Sequence, residues 1–314
     1  MNPALYTGLK KGENYYIKIN ADMYNGNMSF DPYQFSSKLL FKNPQDAYED
    51  NDKLEHVANM PSGLIEGNFA MPYDQDVFYI RSDKSQIYGV TFKRKNVDEK
   101  WLSKYPKDLV SPFFGMLAIA EDTNKNRKLD DSEYDRVQII DHGAFSGSTF
   151  GSFKMEKNKN YIVIVTGYVD GPIPLTLWPY QLKVAPVNQL DEDRHSVVKN
   201  NTPSKPLPLK TAGKNQLKAT GYLNAGVPYG DEDWYVLKLS KNASGKIELG
   251  AGTEVDGVIS LYKDGKLVSR ADYYPEGDKE ILPFNLKKGT YYIKVRDTNG
   301  NTTLDPYTVT VKYQ

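Results

Sequence analysis

The sequence predicts an all-β protein made of tandem jelly-roll-like β-sandwich modules, and three observations lead to this prediction. A strand–turn–strand pattern occurs three times in the 314 residues, at 9–41, 160–184 and 286–312. Tyrosine is abundant, with 24 residues, and aromatic side chains suit the half-buried surface of a sheet. Short apolar runs are separated, roughly every ten residues, by glycine, proline or asparagine, which is typical of sandwiches.

The first and last copies of this pattern differ in what precedes them. In the last copy, Gly289 begins a β-branched and aromatic run that ends at Val295, and residues 308–312 alternate as a return strand. The first copy lies in residues 1–43, where the opening half of a module is missing, so we expect only the closing strands of an incomplete module. An isolated hairpin is marginally stable. This segment therefore either docks on its neighbour or is a truncated domain.

Two complete modules follow this segment. An acidic, turn-rich stretch begins after residue 43, and a linker rich in proline, lysine and asparagine lies around residues 186–215. The predicted domains are therefore 44–186 and 187–314. In the second, Asp264-Gly265 separates two apolar runs and predicts a hairpin with a type I′ turn.

Composition excludes several classes of function. The 40 basic and 40 acidic residues balance, so no general attraction to nucleic acid is expected. The absence of cysteine excludes disulfides, thiolate metal sites and cysteine nucleophiles. No apolar run is long enough for a membrane span. The first residues do not form a signal peptide, so we expect either an intracellular protein or a piece of a larger precursor, and we favour the piece.

The sequence gives little support for catalysis. His56, His142 and His195 are isolated and form no His-Glu-x-x-His motif, and the glycine-rich stretch around Ser146 and Ser148 does not fit the Gly-x-Ser-x-Gly elbow. Paired carboxylates for glycoside hydrolysis stay open, although the acids cluster with turn-like spacing. We expect a non-enzymatic protein.

Residues 122–133 have the spacing of a calcium loop. Oxygen-bearing side chains occupy positions 1, 3, 5, 9 and 12, and a backbone carbonyl serves position 7. The predicted Ca²⁺ ligands are Asp122, Asn124, Asn126, Lys128 (carbonyl), Asp130 and Glu133. Arg127 stands at position 6, where glycine is usual, so it must adopt a left-handed conformation. No helices flank the loop, so we expect a structural ion in an inserted hairpin loop and not a sensor. The alternative is a solvated acidic turn.

The order of several short motifs resembles the bacterial pre-peptidase C-terminal domain and is similar to the collagen-binding domains of clostridial collagenases. The motifs are Glu49-x-Asn51-Asp52, Asp74-x-Asp76 before an aromatic strand, the Gly-x-Tyr-Tyr run at 289–292, and Pro306-Tyr307. Asp50 stands where the family usually has proline. In the last module, Asp231-x-Asp233 matches, whereas Leu190–Asp193 departs from the linker motif.

The resemblance implies further calcium ligands. In the first complete module they would be Glu49, Asn51, Asp52, Asp74 and Asp76. Such oxygen donors would repel one another without basic partners, and a divalent ion would relieve that repulsion. In the last module, Asp231 and Asp233 would be the counterparts. The alternative is that these residues form turns and helix caps.

The resemblance also implies a biological role. Domains of this family are non-catalytic sandwiches appended to secreted bacterial proteases. We therefore expect a secreted or cell-wall-associated, calcium-binding C-terminal region that targets its parent protease to an extracellular protein or polysaccharide polymer such as collagen or cell wall. Outward tyrosines on the repeated strands would provide a contact surface. The tyrosines on these strands are Tyr15, Tyr16, Tyr161, Tyr291 and Tyr292, and alternation points one of each adjacent pair inward and one outward. The alternative is a structural or secretion appendage with no ligand other than calcium.

Overall fold

Strands dominate the described part of the chain. The computed structural model describes residues 6–9, 11–19, 32, 34–40, 46–52, 54, 56–135, 137–140, 146–169, 175–187, 200–223, 231–252, 255–298, 300 and 305–314. The α-helices in these residues are single turns, and four sheets form two sandwich-like modules. The predicted all-β class is confirmed.

The first module consists of two sheets with the orders β1-β3-β8-β5-β6 and β2-β9-β4-β7. Its strands are β1 (Ala58–Asn59), β2 (Leu64–Phe69), β3 (Gln75–Arg81), β4 (Gln86–Arg94), β5 (Phe113–Glu121), β6 (Gln138–Ile140), β7 (Ser148–Met155), β8 (Asn160–Val169) and β9 (Thr176–Pro186). Helix α1 (Glu99–Leu102) and a 3-10 turn (Lys107–Leu109) lie between β4 and β5, and helix α2 (Asp131–Tyr134) lies between β5 and β6.

The second module has the sheet orders β10-β13-β18-β15-β16 and β11-β12-β19-β14-β17. Its strands are β10 (Leu207–Pro208), β11 (Lys210–Gly213), β12 (Gln216–Gly221), β13 (Glu232–Leu239), β14 (Ala243–Gly250), β15 (Gly257–Lys263), β16 (Lys266–Ala271), β17 (Glu280–Leu286), β18 (Gly289–Asp297) and β19 (Tyr307–Tyr313). Apart from the additional edge strand β11, this order repeats that of the first module. In both, the short first strand pairs parallel and the other pairs are antiparallel.

Each pair of sheets encloses a separate core, because alternate residues of the strands point inward. The centre of the first core is aromatic, with rings that meet mostly edge to face or tilted. Its central rings are Phe69, Phe92, Phe113 and Tyr180. The second core is mainly aliphatic, with Leu237, Ile247, Ile259, Ile293 and Val309 fully or almost fully buried. Each module therefore has its own hydrophobic stabilisation without disulfides.

The hairpin between β15 and β16 has the predicted turn. Asp264 has φ 49° and Gly265 has φ 75°, so both central residues are left-handed, as a type I′ turn requires. Asparagine, aspartate and glycine are the residues that adopt this conformation most readily.

The segment before residue 44 differs from the prediction. The described residues between 6 and 40 contain no strand, although closing strands were expected there. Tyr16 is 95% exposed and Leu39 is 86% exposed, so these apolar side chains have no sheet to cover them. The described residues offer these runs no partner strand, and an isolated hairpin is marginally stable. Tyr6 does pack against the first module. Residues 20–31 lie outside the described residues.

Candidate metal centres

The predicted calcium loop joins two neighbouring antiparallel strands. β5 and β6 pair with Leu117 opposite Ile140, and residues 122–130 followed by α2 connect them. In the second module, the equivalent strands β15 and β16 are joined by the two-residue turn at Asp264-Gly265. The loop is therefore an insertion into a hairpin, as the sequence predicted.

Asp122 determines how the loop curls. Its side chain is 1% exposed, and its two carboxylate oxygens accept hydrogen bonds from the backbone N–H groups of Asn126 and Arg127, both at 3.1 Å. Asn124 Oδ1 accepts from the N–H of Asn126 at 2.9 Å, which tightens the same turn. These bonds wrap the backbone around the first predicted ligand.

Glu133 closes the loop from its far end. Its side chain is 1% exposed, Oε1 accepts from the N–H and hydroxyl of Thr123 at 2.7 Å each, and Oε2 accepts from the N–H of Asp130 at 3.2 Å. Asn124 and Asn126 direct their Nδ2 atoms at Asp130 Oδ2, at 2.5 and 2.8 Å. The five side-chain ligand positions thus meet around one loop. A bound cation would require both amides to turn their oxygens inward.

Arg127 has the left-handed conformation that its position demands, with φ 62°. A non-glycine residue there costs about 1 kcal/mol. The guanidinium offsets part of this cost, since it donates to the Val57 carbonyl at 3.2 Å and to Asn59 Oδ1 at 2.8 Å, and it lies 4.5 Å from the ring of Tyr79. These contacts anchor the loop to the edge of the sheet.

A second group of oxygen donors forms where the segment before β1 meets the start of β3. The N–H of Val77 donates to the Asn51 carbonyl at 3.0 Å, which places that segment beside the strand. Asn51, Asp74 and Asp76 are 1–5% exposed. One carboxylate oxygen from each of Glu49, Asp50 and Asp52 lies within 4.8 Å of the others. The predicted ligands of this site are therefore brought to one region.

Two residues of this acidic cluster were not predicted as ligands. Asp46 Oδ1 accepts from the N–H of Tyr48 at 2.7 Å, while its Oδ2 is buried without a hydrogen-bond partner. Asp50, which replaces the proline usual in the family, adds a further carboxylate. Both lie within three residues of Glu49, so acidic spacing alone could have included them. The four-residue family motif does not contain them, and the acidic stretch has the composition of a linker.

Burial and mutual repulsion raise the pKa values in the acidic cluster. Desolvation, followed by the neighbouring Asp52, raises the pKa of Glu49 to about 9. Desolvation and the charge of Asp46 raise the pKa of Asp76 to about 8, although a hydrogen bond from Tyr180 opposes this. Oε2 of Glu49 is also buried without a hydrogen-bond partner. The cluster therefore has more buried negative charge than donors, and this chemistry fits a hard divalent cation.

Tyr180 connects the acidic cluster to the core. Its hydroxyl donates to Asp76 Oδ2 at 2.7 Å, and its ring belongs to the aromatic core. Gly67 lies opposite Tyr180 in the β2–β9 pair, and a Cβ there would overlap Asp46 and the tyrosine hydroxyl. A glycine is thus required where the carboxylate approaches the sheet.

The second module repeats this arrangement with fewer charges. The N–H of Trp234 donates to the Asn200 carbonyl at 2.8 Å, as Val77 does to Asn51, and the Tyr307 hydroxyl donates to Asp233. Asn200-Asn201 therefore corresponds to Asn51-Asp52. From the sequence, the counterpart of this motif was expected at Leu190–Asp193, which lies outside the described residues. The position differs because the two linkers differ in length.

Asn201 takes the place of a carboxylate in this second site. Its Nδ2 donates to Asp231 Oδ1 at 2.9 Å, and the N–H of Glu232 donates to the same oxygen at 2.9 Å. Among the described residues, Asp231 and Asp233 are the carboxylates that correspond to the larger set of the first module. The Asn201 amide thus partly stabilises the charge of Asp231, which an ion would otherwise neutralise.

Of the residues considered for catalysis, the structure describes His56, Ser146 and Ser148. Nδ1 of His56 lies 3.5 Å from Asp50 Oδ2, and both side chains are more than half exposed. Ser146 precedes β7, where its carbonyl accepts from Arg94. His142 and His195 lie outside the described residues.

Comparison with known proteins identifies part of the second module. Residues 231–297 match the sequence profile of the bacterial pre-peptidase C-terminal domain. The match spans 67 of the 314 residues. Pre-peptidase C-terminal domains are non-catalytic C-terminal modules of secreted proteases. No protein of curated function matches the chain in sequence.

Several solved structures are similar in part. The pre-peptidase C-terminal domain of collagenase from Bacillus anthracis has 20% identity and a TM-score of 0.26, and the match covers 34% of this chain and 92% of that one. PliG of Aeromonas hydrophila, a periplasmic inhibitor of g-type lysozyme, has 17% identity and a TM-score of 0.27, with 35% and 96% covered. Because these TM-scores are low, the similarity to the family rests on the sequence match of residues 231–297. No helix in the described residues is long and apolar enough to cross a membrane.

The raised pKa values predict how stability depends on pH without calcium. Glu49 and Asp76 bind protons more tightly in the folded chain than their ordinary values of 4.5 and 3.8 allow in the unfolded chain. The folded state therefore holds more protons between about pH 4 and pH 9, and the unfolding free energy should fall as pH rises through that window. Urea denaturation in metal-depleted buffer at several pH values measures this.

Asp76→Asn is the matched variant for this measurement, because the amide keeps the size of the side chain and cannot titrate. It should flatten the pH dependence, whereas Asp83→Asn, in an exposed turn, should leave it unchanged. Stability that rises with pH in the wild-type chain would contradict the assigned burial of these carboxyls.

Proposed function

We propose that this chain is the non-catalytic, calcium-binding C-terminal region of a secreted bacterial protease and that it attaches the parent catalytic domain to an extracellular polymer. The family match of residues 231–297 supports the connection to secreted proteases. The buried carboxylates with too few donors in the first module support calcium, and this observation carries the proposal.

In the inserted loop, Ca²⁺ would be held by oxygen ligands alone. Asp122 and Glu133 are buried at the two ends of the loop, where they would supply most of the negative charge. The remaining ligands would be Asn124, Asn126, Asp130 and the carbonyl of Lys128. Oxygen donors at this spacing suit a cation that takes six to eight ligands at about 2.3–2.6 Å. The ion would neutralise charge and fix a long loop, with no redox or catalytic role.

In the acidic cluster, the ligands would be Glu49, Asn51, Asp52, Asp74 and Asp76, joined by Asp46 and Asp50. The oxygens of Asp46 and Glu49 that lack hydrogen bonds are the groups that an ion would satisfy. An ion here would hold the segment before β1 against β3. At Asp231 and Asp233, an ion would bind more weakly, because the amide of Asn201 already donates to Asp231 and supplies no negative charge.

An aromatic group on the outer face of the second module supports attachment to a polymer. Tyr292 lies opposite both Val236 and Tyr262, so its side chain projects from the same face as Tyr262, while Tyr291 is 3% exposed and belongs to the core. The rings of Trp234 and Tyr262 are 5.0 Å apart, and Lys294 lies over both. Aromatic faces with a hydroxyl or ammonium group suit contact with collagen or cell-wall polysaccharide.

The alternative role is a structural or secretion appendage with calcium as its sole ligand. The burial of Trp234, which is 6% exposed beneath its neighbours, favours this alternative because it leaves less aromatic surface free. Tyr161, another of the predicted contact residues, is 1% exposed and also belongs to a core.

Calcium should raise the thermal unfolding temperature of the full chain. An ion that binds only the folded state stabilises it by about 2.7 kcal/mol at one hundred times its dissociation constant. Asp122→Ala should remove the part of this shift that comes from the loop. Asp131→Ala, an exposed acid at a non-ligand position of the same loop, should retain it. A wild-type chain whose unfolding temperature does not respond to calcium would refute the bound ion.

Attachment is tested by retention of the full chain on insoluble collagen, bacterial cell wall and chitin, with and without chelator. Retention on one of them, reduced by Tyr292→Ala and unaffected by Tyr274→Ala, is the expected result. Tyr274 is a suitable control because it is 49% exposed in a loop of the same module. Retention on none of the three would favour the appendage.

A further inference from the structure

The first module carries an insertion that the second lacks. Residues 95–112 separate β4 from β5, whereas residues 251–256 separate the equivalent strands β14 and β15. The insertion is anchored, since Leu109 and Val110 are buried with Ala70, Leu175 and Leu177 in a small apolar cluster beside the main core. It is therefore a folded attachment on the side of the sandwich.

An open cleft lies between this insertion and β9. It has a volume of about 360 Å³, and its walls include Lys95, Val97, Lys100, Trp101, Lys104 and Pro179. This volume is within the range of small-ligand sites, roughly 300–1,000 Å³.

The cleft is positively charged although the whole chain is neutral. Residues 93–107 include six lysines or arginines and two acidic residues. Of the acidic residues, Asp98 faces the cleft, and its Oδ1 accepts from the N–H of Trp101 at 2.7 Å as a helix cap. The net charge around the cleft therefore favours an anion.

Two lysines of the cleft are available for a ligand. Lys95 pairs with Glu66 at 2.5 Å, but Lys100 and Lys104 make no ion pair with any described residue. They are four residues apart, on and just after helix α1, and both line the cleft. A bound anion would be attracted to both ammonium groups.

Trp101 gives the cleft a flat apolar wall beside these lysines. Its ring packs against Tyr105 with a centroid distance of 5.1 Å, and it is half-buried against the small apolar cluster. The capping bond from Asp98 also fixes its backbone. An aromatic face next to ammonium groups suits a ligand with both an apolar face and negative charge, as an acidic sugar ring has.

Backbone groups at the floor of the cleft are already hydrogen-bonded within the chain, so a peptide strand has little to pair with. The N–H of Lys95 donates to the Pro179 carbonyl at 2.8 Å, and the Lys95 carbonyl accepts from the indole N–H of Trp178 at 2.9 Å. An added peptide strand needs a free row of such backbone groups. An anionic saccharide needs only point charges and an aromatic face.

We propose that this cleft binds an acidic polysaccharide, with one sugar ring against Trp101 and its carboxylate or sulfate groups at Lys100 and Lys104. The site is separate from the candidate metal centres and from the aromatic group of the second module. It rests on the proposed attachment role only for its biological purpose.

Affinity measurements on the full chain test this proposal, with hyaluronan as the carboxylated probe, heparin as the sulfated probe and dextran as the neutral control. Binding to at least one acidic probe and not to dextran is expected, and it should weaken as salt screens the charges. The preferred acidic probe shows whether carboxylate or sulfate is the group recognised.

The double variant Lys100→Gln/Lys104→Gln should bind roughly tenfold more weakly, because it removes two ion contacts made by exposed side chains. The matched control Lys214→Gln/Lys218→Gln removes the same charge from exposed positions of the second module and should stay within about twofold of the wild type. Trp101→Phe should also weaken binding with an unchanged unfolding temperature, which separates loss of the wall from loss of the fold.

The proposal is overturned if neither acidic probe binds at low salt, or if the control pair weakens binding as much as the cleft pair. Poly-glutamate binding as tightly as the acidic saccharides, with no effect of Trp101→Phe, would indicate unspecific charge attraction and would also overturn it. If the cleft proposal fails in this way, retention on collagen, cell wall or chitin that survives these variants would still leave the attachment role standing.

Discussion

The repulsion among buried carboxylates is the constraint on which the first module depends. The pKa values of Asp46, Glu49 and Asp76 are raised, because folding buries these carboxyl groups without enough hydrogen-bond donors to stabilise their charge. The chain tolerates this because the cluster joins two elements that must meet, the segment before β1 and the start of β3. A cation at this point would convert the repulsion into a bond between them. The same carboxylates that destabilise the fold without an ion would therefore hold the proposed ligand.

The two modules share one architecture but differ in how many carboxylates they bury at the equivalent site. The tyrosine that reaches into the site occurs in both, as Tyr180 and Tyr307, opposite Gly67 and Gly221 in the sheet register. The surrounding charges differ, because Asn201 donates an amide where Asp52 supplies a carboxylate. The hairpin likewise has a long oxygen-rich loop in the first module and a two-residue turn in the second. We infer that the first module is the one specialised for metal.

Features determined by nearby residues could be predicted from the sequence. The type I′ turn follows from Asp264-Gly265, and the left-handed Arg127 follows from its position in the loop spacing. Features that depend on distant contacts could not be predicted. The pairing of Asn200 with Trp234 crosses a linker of different length, and the cleft at Trp101 needs β9 as its second wall. The strands expected before residue 44 are not seen in its described residues, and an apolar alternating run forms a strand only when a partner strand is present.

The number of calcium ions held by the folded chain tests the central claim most directly. Equilibrium dialysis followed by metal analysis should find ions bound at both first-module centres, with Asp122→Ala removing the one in the loop and Asp76→Asn removing or weakening the other. A folded chain that binds no calcium, or whose bound calcium is unchanged by both substitutions, would show that these carboxylates are neutralised by protons and hydrogen bonds alone.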